Sequence, residues 1–284
     1  MQNVFLGTLS LYEIFAYFFL YAFLGWVAEV AFHAVSMGKF VNRGFLCGPV
    51  CPIYGVGVTV ILLLLGDFVE KPWAVFLIGI VMPTAIEFLT GWILETFFHN
   101  KWWDYSERKF NIKGYICLEF SVLWGLAVLF VVEAVHPLVK KFVFLAGNIT
   151  GTALVSVCLA ALLADCIVTL LQVLRLNSGL KDIDGVETAV QAMKFGSDFI
   201  GEHIAAATLR TEDKIESAKE TVEEKRNLMI DALVKKMPKR ILKAFPDLTS
   251  RLHPNAVVLA RASMKRAEKR RREEKRRAER KRHE

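Results

Sequence analysis

Residues 72–98 read PWAVFLIGIVMPTAIEFLTGWILETFF, an apolar run interrupted by only two charged side chains, Glu87 and Glu95. About 20 helical residues are enough to cross the hydrocarbon core of a bilayer, which is about 30 Å thick. The run is therefore long enough to span a membrane. Pro72 is well placed to open a helix, and Pro83 is expected to kink it. This stretch predicts a membrane protein built from helices.

Four further apolar runs lie on either side of it, so we expect an all-α, polytopic helical membrane bundle of about five transmembrane helices. The second run is interrupted early by Pro49 and Pro52, and His136-Pro137 closes the fourth. The fifth is too long for a single crossing and is expected to project from the bilayer. The predicted spans, within a transmembrane domain of residues 1–176, are 11–37, 45–66, 72–98, 114–135 and 142–174.

The remainder of the chain has the composition of a soluble tail. Hydrophobic residues make up 54% of the sequence, but they are concentrated before residue 177. In residues 177–237, apolar side chains recur at helical spacing after Asp182 and every seven residues from Ile215 to Met229, which predicts a cytoplasmic amphipathic helical segment. Residues 238–284 are predicted to be a linker punctuated by prolines, followed by a basic tail. Residues 265–284 hold 12 Lys or Arg against 5 Glu, which equals the +7 of the whole chain.

The distribution of basic residues predicts the orientation. Cytoplasmic loops of membrane proteins carry an excess of Lys and Arg. If the tail is cytoplasmic, the loops on its side hold six basic residues and the opposite loops hold three. We therefore expect a multi-pass protein of the cell membrane with its amino terminus outside and its carboxyl terminus in the cytoplasm. The cytoplasmic six are Lys39, Arg43, Lys101, Arg108, Lys109 and Lys113, and the external three are Lys71, Lys140 and Lys141.

Carboxylates fall inside the predicted spans, where each costs on the order of 3 kcal/mol and so requires an explanation. At 1.5 Å of rise per residue, four of them lie about 8 to 15 Å from the cytoplasmic surface. These four are Glu29, Glu87, Glu119 and Asp165. Glu95 lies close to that surface. Several acidic groups are thus predicted to converge in the cytoplasmic half of the bundle.

Glycine accompanies these acids at helical spacing. Glu87, Gly91 and Glu95 follow one another at intervals of four residues and therefore share one helix face. A glycine between them allows another backbone or a ligand to approach closely. Gly25 and Glu29 repeat the same spacing in the first span.

Irregular segments are predicted on the same side. Residues 42–55 combine glycine and proline at the entrance of the second span, and non-helical backbone at that depth persists only where protein or a wet cavity satisfies its polar groups. Residues 102–106 read WWDYS, with Trp and Tyr suited to the headgroup level. Arg43 and Lys113 are natural counter-charges for the acids. The arrangement is equally consistent with structural ion pairs that tie the helices together and with a polar cavity open to the cytoplasm.

These residues resemble one bacterial family, the putative ABC transporter permease type IV (CmpB-like) membrane proteins, over roughly residues 10–140. The motifs that carry the resemblance are Gly44-x-Leu46-x-Gly48-Pro49-x-x-Pro52-Ile53-Tyr54-Gly55, Glu87-x-x-x-Gly91-x-x-x-Glu95, Trp103-Asp104-Tyr105-Ser106, and Asn111-x-x-Gly114-x-Ile116-x-Leu118 with Trp124-Gly125. The resemblance implies transport. The functional positions that it implies are Arg43, Glu87, Glu95, Asp104, Tyr105 and Asn111. With the two further carboxylates in the spans, the candidate polar site comprises Glu29, Arg43, Glu87, Glu95, Asp104, Tyr105, Asn111 and Glu119.

Three functions are compatible with this sequence. The first is a permease-like, transport-related subunit whose acidic cavity, facing the cytoplasm, binds a cation or a cationic solute. The chain has no Gly-x-x-x-x-Gly-Lys-Ser/Thr loop, so an ATP-driven cycle would need an ATPase on a separate chain. The second is a membrane-embedded enzyme acting on lipid or lipid-linked phosphate, with Glu87, Glu95 or Asp104 as general base or metal ligand and Arg43 as phosphate clamp. The third is a membrane scaffold or regulator with structural ion pairs.

The residues assign no catalytic group and point to no cofactor, although a divalent cation would favour the enzyme. The expected partners are the lipid bilayer, anionic lipid headgroups through the basic tail, a separate ATPase subunit, and a second copy of the chain in a homo-oligomer.

Overall fold

A computed structural model describes residues 5–6, 9–38, 41–65, 70–146, 149–205 and 212–283. Nine α-helices in these ranges are α1 Leu11–Met37, α2 Pro52–Leu65, α3 Pro72–Phe98, α4 Leu118–Phe130, α5 His136–Ala146, α6 Ile149–Ala205, α7 Glu212–Lys236, α8 Lys239–Ala244 and α9 Pro254–His283. Strands of two residues are β1 Phe5–Leu6, β2 Leu9–Ser10, β3 Asn100–Lys101, β4 Asn111–Ile112, β5 Ile116–Cys117 and β6 Thr249–Ser250. The predicted all-α class is confirmed.

Four helical stretches of the described chain are long and apolar enough to cross a membrane, namely Leu11–Val35, Pro72–Phe98, Leu118–Ala146 and Thr150–Ala192. The shorter apolar helix α2 joins them. The predicted multi-pass helical membrane protein is therefore confirmed in its class.

Local sequence explains where the first long helix begins and ends. Ser10 and Glu13 form a capping box at the start of α1, in which each side chain bonds to the other residue's backbone N–H. Gly38 closes α1 with φ of 65°, a conformation that glycine adopts without strain. Ser10 and Glu13 thus fix the start of α1, and Gly38 fixes its end.

The end of the fourth predicted span and the start of the fifth differ in the structure. The fourth helical stretch does not end at His136-Pro137 but continues through α5 to Ala146. A π-helical turn at Val131–Val135 connects α4 to α5, and its wider hydrogen bonding, from the His136 N–H to the Val131 carbonyl, directly precedes the proline. The predicted fifth span begins later, because α6 starts at Ile149.

Small residues allow α3 and α4 to pack closely. A Cβ on Gly79 would lie 2.7 Å from Val128, and a Cβ on Gly125 would lie 2.7 Å from Ile80. Close backbone approach through glycine is how helices associate where lipid removes the hydrophobic driving force. In this unit α3 therefore packs closely on α4, and α1 packs on α2.

The chain divides into two compact units. The first contains residues 1–171 and 243–248, and the second contains residues 172–242 and 249–284. In the second unit, α7 packs on α9, and fully buried side chains include Leu180, Ile183, Ile230 and Ile241. The side chains of residues 193–222, which carry much of the predicted heptad pattern, and Lys39 in the first predicted cytoplasmic loop lie outside the described part of the chain.

Candidate functional site

The second predicted span is a broken helix. With 14 residues, α2 extends about 21 Å, less than the hydrocarbon thickness of about 30 Å. The Cys51 N–H donates to the Ala22 carbonyl (2.9 Å), so α2 begins beside the middle of α1. Gly55 permits this approach, because a Cβ there would lie 2.5 Å from the Phe18 carbonyl oxygen. Residues 41–51 are non-helical and run alongside the remainder of α1. We call these residues the 41–51 segment.

Side chains satisfy the polar backbone of the 41–51 segment. Asp165 of α6 accepts the N–H groups of Cys47 (2.9 Å) and Gly48 (2.7 Å). Asn42 donates to the Cys47 carbonyl (2.9 Å) and accepts from the indole N–H of Trp26 (2.7 Å). Irregular backbone within a membrane domain requires such partners. Asp165, which was predicted to lie in the cytoplasmic half, therefore fixes the position of the 41–51 segment before α2.

Glu29 on α1 is paired rather than free. Its carboxylate lies 3.3 Å from the Arg43 guanidinium and accepts the Tyr54 hydroxyl at 2.6 Å. Arg43 also contacts the His33 ring nitrogen at 3.1 Å. The Tyr54 ring lies directly against Gly25, where any Cβ would collide with it. The glycine four residues before the acid thus makes room for the tyrosine that binds the acid.

Glu95 on α3 repeats this arrangement. The Tyr115 hydroxyl donates to the Glu95 carboxylate at 2.8 Å. A Cβ on Gly91 would lie 3.0 Å from the Tyr115 ring and 3.2 Å from Trp103. The Gly-x-x-x-Glu spacing predicted close approach, and the group that approaches is a tyrosine from a later segment.

Glu87 differs from the other two acids. It is buried, with 8% of its surface exposed, and accepts hydrogen bonds from the Tyr105 hydroxyl (3.1 Å) and the Trp124 indole (3.2 Å). No Lys, Arg or His of the described chain forms an ion pair with it. Burial, and then the negative charge of Glu87, raise the pKa of Tyr105, so its hydroxyl stays a proton donor.

Asp104 and Asn111 shape the loop between α3 and α4. Burial alone would raise the pKa of Asp104, but the hydrogen bonds that it accepts from Ser106 and Lys101 outweigh burial and lower it. The Asn111 side-chain amide donates to the Ser106 carbonyl (3.1 Å) and accepts from the Gly114 N–H (3.2 Å). Both residues satisfy local turns in this loop.

Glu119 lies at the surface. It pairs with Arg108 at 3.2 Å, and both side chains are more than half exposed. The structure does not bring Glu119 to the other candidate acids.

A cavity of about 680 Å³ lies between α1, α2, α3 and α4. Four predicted site residues line it, namely Glu29, Arg43, Glu87 and Tyr105. The other four, Glu95, Asp104, Asn111 and Glu119, are not among its lining residues.

Aromatic side chains that the candidate list omitted also line the cavity. Tyr54 and Trp124 supply hydrogen bonds to the two acids, and their rings pack edge to face at 5.6 Å. Trp102 lies 5.0 Å from both Phe45 and Phe245, and this set closes part of the wall. Tyr54 and Trp124 are part of the motifs that carry the family resemblance. The sequence therefore contained them, but charged side chains alone do not point to these two aromatic residues.

The described residues include no group of three or more His, Cys, Asp or Glu side chains placed to hold a metal ion. The sequence suggested Glu87, Glu95 and Asp104 as metal ligands. In the structure each of them accepts a hydrogen bond from a different residue, Tyr105, Tyr115 and Lys101 respectively. The cavity wall therefore combines the Glu87 carboxylate, the Glu29–Arg43 ion pair and several aromatic rings.

Of three comparisons with known proteins, one gives a match. No curated protein and no solved structure matches the chain. A family model does match, over residues 16–170, which cover most of α1, all of α2 to α5 and the part of α6 that carries Asp165. This region is more than half of the chain and contains every residue that lines the cavity except Phe245. The chain therefore belongs to the membrane protein family described as Putative ABC-transporter type IV.

Proposed function

We propose that this protein is a permease-like subunit of a transporter and that its cavity, opening toward the cytoplasm, binds a cationic solute at Glu87. The observation that carries the proposal is the buried Glu87 carboxylate, which lines the cavity and has hydrogen-bond donors but no basic partner in the described chain. A buried carboxylate without a counter-ion is costly, and a bound cation would remove that cost.

The charges around the cavity favour a cation over an anion. Glu29 and Glu87 are its two carboxylates, and Arg43 is its one Lys or Arg among the lining residues. Since Arg43 is paired with Glu29 at 3.3 Å, the negative charge of Glu87 remains uncompensated. Tyr105 and Trp124 line the same cavity, and their O–H and N–H groups fix the position of the Glu87 carboxylate.

The broken α2 also supports transport. Discontinuous helices form the solute sites of many transporters, where unwound backbone lines the cavity. Cys51, Pro52 and Ile53, at the junction of the 41–51 segment and α2, line the cavity here. The excess of Lys and Arg in the predicted cytoplasmic loops supports the proposed orientation, and the family supports a separate ATPase partner.

Chemistry on lipid-linked phosphate is less well supported, because it requires Arg43 to be available for the phosphate. Arg43 instead contacts Glu29 and His33.

The proposal is tested by binding of tetraethylammonium to the purified protein in nanodiscs, followed by the fluorescence of the cavity tryptophans. Glu87→Gln removes the charge with little change in shape, and we expect it to weaken binding at least tenfold, about 1.4 kcal/mol. The matched control Glu119→Gln, at an exposed position outside the cavity, should bind like the wild type.

Equal affinity in Glu87→Gln and the wild type would contradict the proposal. Loss of the Glu87→Gln protein from the membrane, with Glu119→Gln retained, would instead assign a structural role to Glu87 and favour the scaffold.

A further inference from the structure

The cavity has one polar end and one aliphatic end. Its charged and hydrogen-bonding groups, Glu29, Arg43, Glu87 and Tyr105, lie toward the loop end, where α3 ends and α4 begins. On α4 and the turn that follows, the lining changes from Trp124 to valines and phenylalanine. A small hydrated ion would leave the aliphatic end unused.

The aliphatic end is long. Ala127 and Val135, eight positions apart on one continuous helical stretch, both line the cavity. At 1.5 Å per residue this lining extends about 12 Å along the helix axis. Ile61 of α2 and Val128 of α4 lie at the edge of this part, where they belong to a packed hydrophobic cluster with Val75. The volume of about 680 Å³ is in the range of small-molecule sites, about 300–1,000 Å³.

The polar end keeps a negative excess when the backbone is included. The amino terminus of α2 contributes a partial charge of about +0.5, and Arg43 contributes a full positive charge. The carboxylates of Glu29 and Glu87 outweigh both contributions together. An amphiphile with an anionic head would therefore meet repulsion here, whereas a cationic head would be attracted.

Building on the proposed function, we propose that the natural ligand class is a single-chain cationic amphiphile. Its cationic head lies against Glu87 among the rings of Tyr105 and Trp124, and its alkyl chain extends past Val128 and Val131 toward Val135. Two ends of different polarity select this class, because the carboxylate recognises the head and the aliphatic wall recognises the chain.

The test compares three probes on the wild-type protein in nanodiscs, with empty nanodiscs to subtract partition into lipid. The probes are dodecyltrimethylammonium, which has head and chain, tetramethylammonium, which has the head alone, and dodecyl sulfate, which has the chain with an anionic head. We expect dodecyltrimethylammonium to bind at least 30-fold more tightly than tetramethylammonium and to be weakened at least tenfold by Glu87→Gln. Dodecyl sulfate should not compete with it.

A variant at the aliphatic end separates chain recognition from enrichment in the bilayer. Val131→Phe adds volume on the cavity wall at the π-helical turn, seven positions beyond Trp124, the residue of this helix that binds Glu87. We expect it to remove most of the advantage of dodecyltrimethylammonium and to leave tetramethylammonium binding unchanged.

The outcomes distinguish the two proposals. If tetramethylammonium binds as tightly as dodecyltrimethylammonium, and both depend on Glu87, the amphiphile proposal is overturned while the proposed function stands. Effective competition by dodecyl sulfate would also overturn the amphiphile proposal. If no cationic probe depends on Glu87, the proposed function itself fails.

Discussion

Replacing Asp165 with alanine would remove both acceptors of the two N–H groups that fix the 41–51 segment. The carboxylate accepts from Cys47 at 2.9 Å and from Gly48 at 2.7 Å, and it receives the Thr169 hydroxyl at 3.3 Å. Asp165 comes from α6, so these bonds connect the broken helix to a distant part of the chain. We expect the substitution to loosen the 41–51 segment before it affects the long helices.

The magnitude follows from the number of bonds. Hydrogen bonds to a charged group contribute about 1.5–3 kcal/mol each, and a buried donor left without an acceptor costs a comparable amount. We therefore expect Asp165→Ala to lower the free energy of unfolding by about 3–5 kcal/mol. Asp165→Asn keeps one acceptor oxygen and should lose about half of that. At about 2–4 °C per kcal/mol, alanine should lower Tm by about 10 °C and asparagine by about 5 °C.

Two measurements check this expectation. Thermal unfolding of the purified protein gives the change in Tm, and maleimide modification of Cys47, located by mass spectrometry, reports opening of the segment. The half-buried Cys47 thiol, 3.6 Å from the Thr169 hydroxyl, should react faster in Asp165→Ala. The control is Glu133→Gln, which changes an exposed carboxylate in the π-helical turn and should leave both readouts unchanged. An unchanged Cys47 rate in Asp165→Ala would refute the role of Asp165.

Two further predictions concern close packing and pH. Gly55→Leu should reduce the amount of folded protein in the membrane severalfold, because a Cβ would lie 2.5 Å from the Phe18 carbonyl oxygen. Detergent extraction followed by size-exclusion chromatography measures this amount. The control Gly57→Ala should be tolerated, because a Cβ there meets nothing within 4 Å. In the second unit, burial would raise the pKa of Asp231, but the hydrogen bond and positive charge of Arg266 contribute to a net lowering. A lowered carboxyl pKa stabilises the fold above the ordinary aspartate value and loses that contribution as pH falls below it, so unfolding scans between pH 6 and pH 2 should show a loss of stability that Asp231→Asn lacks.

The fold class could be predicted from the sequence because it depends on a bulk property. Apolar runs of the length of residues 72–98 have few stable alternatives to a membrane helix. The continuation of the fourth stretch through Pro137 could not be predicted, because it depends on a π-helical turn just before the proline. A proline normally ends a helix, and the sequence contains no local sign that the preceding turn widens.

The candidate site could be predicted only in part, for a different reason. Sequence spacing places residues on a helix face, but it does not show which partner faces them. The i, i+4 spacing of Glu87, Gly91 and Glu95 correctly indicated a close approach at the glycine, where Tyr115 packs. It could not show that Tyr115 would bind Glu95, whereas Glu87 would face the cavity.

The carboxylates of the membrane domain divide by what they bind, and this division supports Glu87 as the ligand position. Glu29 is held by Arg43 and a tyrosine, Glu95 by a tyrosine, and Asp165 by two backbone N–H groups. Glu29 and Asp165 bind groups of the 41–51 segment and α2, whereas Glu95 binds the segment that leads into α4. Glu87 makes comparable hydrogen bonds but lies on the cavity wall without a basic partner in the described chain. The junction of the 41–51 segment and α2 lines the cavity, and Glu29 and Asp165 bind that same region, so two structural carboxylates and the proposed ligand-binding carboxylate lie around one feature of the fold.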